Sequence, residues 1–84
     1  MANHLMSQVR PISAAERAAR AVEWTSRCLA ERAAMPADQR EARAAFYDDR
    51  ATHCLTLTAV NPRMLELAGL HCLAANIMRA ERVG

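Results

Sequence analysis

At 84 residues the chain has room for one domain with one modest core, which excludes a second domain and leaves a thin stability margin. Hydrophobic residues make up 52% of it, yet Trp24, Tyr47 and Phe46 are the only aromatic ones, and the abundance of alanine favours helices that approach closely. The 11 basic residues are all arginine and meet 9 acids for a formal net charge of +2, so their placement, rather than their number, decides whether a polyanion is the partner.

Residues 1–12 read as an irregular arm. Its apolar side chains Leu5, Met6, Val9 and Ile12 suit docking onto the rest of the chain. Ser13-Ala-Ala-Glu16 has the spacing of a capping box and fixes the start of a first helix, Ser13 to about Ala34. At 100° per residue, Ala15, Ala18, Ala19, Val22, Leu29 and Ala33 share one face, which becomes the expected core stripe. On the opposite face Glu16 and Arg20, Glu23 and Arg27, and Arg27 and Glu31 stand four apart, as in a solvated surface braced by ion pairs.

Pro36 pushes Met35 out of the helical region, so a second helix is expected over about Pro36 to Val60. Asp38 and Glu41 sit in its first turn, where negative charge complements the helix dipole. Its main apolar stripe is Ala42, Phe46, His53, Leu57 and Val60, with Tyr47, Ala51, Cys54 and Thr58 as a second stripe alongside. Asn61 is a good N-cap and Pro62 a good first residue for a third helix, Pro62 to Arg82. A turn this short makes the last two helices an antiparallel hairpin. The third helix is apolar at almost every angle, a pattern normally found on a buried element. The fold class is therefore all-α, an antiparallel three-helix bundle with an N-terminal arm. A kinked rod bent at Pro36 and completed by dimerisation is the runner-up.

Metal chemistry is the first site to weigh. The three cysteines, Cys28, Cys54 and Cys72, are an odd number and suit free thiols in a reducing compartment. His53-Cys54 and His71-Cys72 lie at similar levels of the hairpin, but adjacent residues on a helix diverge, which leaves Cys54 with His71 as a single pair. A structural zinc needs four ligands, so packing outweighs a metal or thiol site here. The same pair lacks the orienting group and cleft that nucleophilic catalysis requires, and Asp48 and Asp49 diverge; no catalytic residue, cofactor or metal is assigned, and the chain reads as a non-enzyme.

Trp24 falls off the expected core stripe, beside Cys28 and Met35. Either the arm folds back over it or it anchors a protein interface, a role in which Trp, Met and Arg are enriched. On the third helix, Leu65, Ala68, Cys72 and Ala75 form a second flank whose small residues admit another helix, either the first helix or the same helix of a second copy. The candidate protein interface is thus Trp24, Cys28, Met35, Leu65, Ala68, Cys72 and Ala75. Arg40, Arg43, Arg50, Arg79 and Arg82 are candidate nucleic-acid contacts, set against the acids mixed among them and the lack of a helix-turn-helix signature.

The expected function is a small protein-binding module, a homodimer that inhibits or regulates a larger macromolecular complex, in the manner of small helical proteins of phages and mobile elements such as anti-CRISPR proteins and antitoxins. That comparison is one of size and class alone. A nucleic-acid-binding regulator is the alternative, and a thiol or metal site at Cys54 and His71 a distant third. The N-terminus lacks the features of a secretion signal and no apolar run reaches the ~20 residues of a membrane span, so the expected compartment is the cytoplasm, without membrane contact.

Overall fold

A computed structural model describes residues 12–81. Three α-helices follow one another, α1 (Ala14–Ala34), α2 (Arg40–Thr56) and α3 (Arg63–Arg79), with one 3₁₀ turn at Ala37–Gln39 between the first two. The protein is an all-α three-helix bundle, and no strand occurs among the described residues. No helix among them is long and apolar enough to cross a membrane.

Local chemistry sets the boundaries. Ser13 Oγ accepts the Glu16 N–H at 3.1 Å and caps α1, and the chain leaves the helix at Met35, whose backbone is extended (φ −101°, ψ 136°) ahead of Pro36. The second helix is shorter at both ends than its periodicity predicts. Pro36 leads into the 3₁₀ turn first, and beyond Thr56 the chain passes into turns through residue 60. Hydroxyls compete with the backbone at that end: Thr56 Oγ1 donates to the His53 carbonyl at 2.6 Å, and Thr58 Oγ1 to the Cys54 carbonyl at 3.3 Å. The last helix begins at Arg63 with Pro62, rather than Asn61, at its cap position, while Asn61 one residue earlier accepts the Arg63 N–H through Oδ1 at 3.0 Å.

The order of the contacts gives the topology. Arg20 meets Glu66, Trp24 meets Leu70 and Arg32 meets Ala80, so α1 ascends in step with α3. Glu31, near the end of α1, bonds Arg43 and Tyr47 near the start of α2, as antiparallel neighbours do. The closest packing is between α2 and α3, and α1 lies mainly on α3. Cys28, Ala44, Tyr47, Ala74, Ala75 and Met78 form the core, with Trp24, Met35 and Ile77 packed against it. Ala44 and Ala74 are both 0% exposed, and their small side chains are what allow α2 and α3 to approach.

Two expected faces are reversed. On α1, Ala15, Ala18, Ala19, Val22 and Ala33 face solvent, Val22 at 68% exposure, whereas Cys28 is buried and Trp24 and Met35 turn inward. Size explains this reversal: burying a Trp removes about 200 Å² from water, far more than an alanine methyl, so the single tryptophan outweighs a row of alanines. On α2, Tyr47, Ala51 and Cys54 of the second stripe are buried, whereas Ala42, Phe46 and His53 of the main stripe, and Leu57 and Val60 in the turns that follow, are exposed. The arm's docking lies outside the described residues except for Ile12, which is 7% exposed.

Candidate functional site

Between α1 and α2, above α3, runs an open groove of about 490 Å³ lined by Trp24, Arg27, Cys28, Glu31, Arg43, Phe46, Tyr47, Arg50 and His71. The helical repeat accounts for its walls. Trp24, Arg27, Cys28 and Glu31 recur every three or four residues on the inner side of α1, and Arg43, Phe46, Tyr47 and Arg50 do so on the facing side of α2.

Trp24 is fixed first. Its indole Nε1–H donates to the Leu70 carbonyl at 2.7 Å, while Tyr47 and His71 meet its ring edge-on with centroids 6.2 and 5.6 Å away. Tyr47 also stacks on His71 at 5.9 Å. Trp24 is thus partly covered by α2 and α3 while still lining the groove, and its expected cover by the arm falls outside the described residues.

Across the groove, Arg43 holds Glu31 with two parallel bonds, Nε to Oε1 at 3.0 Å and Nη2 to Oε2 at 3.1 Å, and the Tyr47 hydroxyl donates to Oε1 at 2.9 Å. The same guanidinium lies 4.5 Å from the Phe46 ring centroid and 4.9 Å from that of Tyr47. Hydrogen bonding from Arg43, helped by Tyr47, holds the Glu31 carboxyl below its ordinary range. Burial pushes the Tyr47 hydroxyl up, and Glu31 adds to that. Burial lowers the His71 imidazole, with Arg50 reinforcing the effect, and burial raises the Cys28 thiol. His71 Nδ1 is shut off from solvent and has no hydrogen-bond partner.

The expected interface residues separate on burial. Cys28, Ala68 and Ala75 are covered by the chain's own helices, at 3, 3 and 1% exposure, and are corrected from interface to core. The small flank of α3 therefore belongs largely to this molecule's interior. Trp24 and Met35 are partly buried against the core, whereas Leu65 at 59% and Cys72 face solvent.

The arginines offered as nucleic-acid contacts separate too. Arg43 is bound to Glu31, and Arg79 grips Glu41 at 2.9–3.2 Å and Asp48 at 2.7 Å. Arg40 donates to the Met35 carbonyl at 3.4 Å. Arg50 has no carboxylate partner among the described residues, and Arg82 lies outside them. Two residues of the charged face of α1 pair between helices, Arg20 with Glu66 at 3.9 Å and Glu31 with Arg43, and Arg27 lies 5.9 Å from the Trp24 ring.

Cys54 is buried on α2, and His71 is engaged by the rings of Trp24 and Tyr47. Among the described residues no group of three or more His, Cys, Asp or Glu side chains could hold a metal ion. The groove residues absent from the expected site are Arg27, Glu31, Phe46 and Tyr47. The off-stripe tryptophan is the signal for them: taken as the centre of the inner face, it brings Arg27, Cys28 and Glu31 with it at helical spacing. The chain matches no protein-family model, no curated protein and no solved structure.

Proposed function

We propose that the chain is a small protein-binding module that inhibits or regulates a larger assembly by occupying one of its surfaces through the outer flank of α2 and the groove beside it. One observation supports this reading. The main apolar stripe expected of the second helix, carrying Phe46 at 44% exposure and Leu57 at 37%, faces water while the second stripe, with Tyr47, Ala51 and Cys54, is buried. Exposed apolar residues repeated along one side of an element are the usual mark of a protein contact. In a homodimer, Leu65 and Leu67 on α3, 59% and 37% exposed, offer the apolar surface to a second copy, since Ala68 and Ala75 are buried.

The test is affinity capture from host extract, with and without nuclease treatment, with the unaltered chain and the Phe46→Asp/Leu57→Asp variant side by side. The proposal expects a protein retained by the first and lost by the second. Retention by both, or retention of nuclease-sensitive nucleic acid alone, would overturn it.

A further inference from the structure

The groove narrows the chemistry of the proposed partner, on the reading that this partner is a protein. Glu31 already has the bidentate fork of Arg43. Arg27 on α1 and Arg50 on α2 line the opposite walls, are exposed, and have no carboxylate partner among the described residues. Two uncompensated guanidinium groups facing one groove attract an anion, and their planar forks match a carboxylate.

The aromatic rings distinguish between anions. A nucleic-acid strand held by stacking needs free ring faces and a track of several cations along its backbone. Here Tyr47 carries His71 stacked at 5.9 Å and Arg43 at 4.9 Å, Trp24 has Arg27 at 5.9 Å with two rings against it, and Arg43 covers Phe46 at 4.5 Å. Trp24 and Tyr47 are already engaged, Phe46 alone among the three is exposed, and the groove cations without a carboxylate partner among the described residues are two rather than a row. What the groove does offer is one such guanidinium on each wall, Arg27 and Arg50, and the exposed part of Phe46.

We infer that the groove takes an acidic segment of the protein partner, a carboxylate side chain seated between Arg27 and Arg50 with a neighbouring apolar side chain against Phe46. Trp24 is the only tryptophan and lines the groove, so its emission reports occupancy. The full chain is titrated with a short synthetic peptide bearing Glu-Leu-Glu in a Gly-Ser background, with its Gln-Leu-Gln counterpart, and with single-stranded oligothymidylate.

A saturable response to the Glu peptide that weakens with salt is expected, with affinity about tenfold lower in Arg27→Ala/Arg50→Ala and partly restored in Arg27→Lys/Arg50→Lys. No response to the Glu peptide, an equal response to the Gln peptide, or tighter binding of the oligothymidylate overturns the inference. The peptide comparison uses the unaltered chain and decides the question even where a variant loses its fold. In the capture experiment, a partner that survives Arg27→Ala/Arg50→Ala but is lost with Phe46→Asp/Leu57→Asp overturns the carboxylate seat and leaves the binding surface standing. A partner lost with neither variant overturns both.

Discussion

Trp24 ties α1 to the hairpin through one hydrogen bond and two edge-on ring contacts, and these contributions can be separated. Trp24→Phe keeps an aromatic ring and removes the Nε1–H donor. Urea denaturation should show a loss of about 1 kcal/mol, the net worth of a neutral hydrogen bond. Trp24→Ala removes the ring as well and should cost about 3 kcal/mol or more. Glu31 is the second residue of consequence, because it joins α1 to Arg43 and Tyr47 on α2. Its carboxyl is held below the ordinary 4.5, so its contribution is complete above that pH and is lost as pH falls through the lowered value. His71, held below its ordinary 6.5, acts at higher pH. Beneath 6.5 the unfolded chain takes up a proton that the folded chain resists, and stability falls there too. Acid titration of stability should therefore show loss beginning near pH 6.5 and a further loss below about 4.5. His71→Phe should flatten the first and Glu31→Gln the second.

At the scale of elements, the α2–α3 hairpin rests on small residues in tight places. Ala44→Leu places a large side chain where exposure is 0% and should cost about 1–3 kcal/mol in a chemical melt. Gly69, on α3, provides the contrast. A Cβ added there meets nothing within 4 Å, so Gly69→Ala should stabilise the chain by about 1 kcal/mol through helix propensity alone. These elements are only half legible in the sequence. Ser13, Pro36 and Asn61 act within one turn of themselves, and the helix boundaries they imply lie close to the observed ones at those points. Facing depends on partners remote in sequence. Periodicity favours Phe46 over Tyr47 because Ala42, His53, Leu57 and Val60 share its face, yet Tyr47 is the ring held inside, its hydroxyl bonded to Glu31 sixteen positions away. Alanines give α1 a regular stripe of little energetic weight, and α3, apolar all round, has no stripe to read. The groove is hidden from periodicity for the same reason, since its walls belong to two helices whose inner faces both read as outer ones.

At the scale of the whole molecule, the inverted faces place the chain's aromatic and apolar residues in two roles. Tyr47 and the inner side of Trp24 hold the bundle together, while Phe46 is exposed in the groove that Arg27 and Arg50 also line, and Leu57 is exposed at the C-terminal end of α2. The proposed binding surface and the core are therefore separable by mutation. The most direct measurement takes Phe46→Asp/Leu57→Asp and follows urea stability and capture of the protein partner on the same preparation. Predicted is loss of the partner with a smaller loss of stability than Trp24→Ala produces, since Phe46 and Leu57 keep more than a third of their surface in solvent. A loss of several kcal/mol with the partner still captured would contradict the account, because it would make this flank part of the core and leave the binding surface elsewhere.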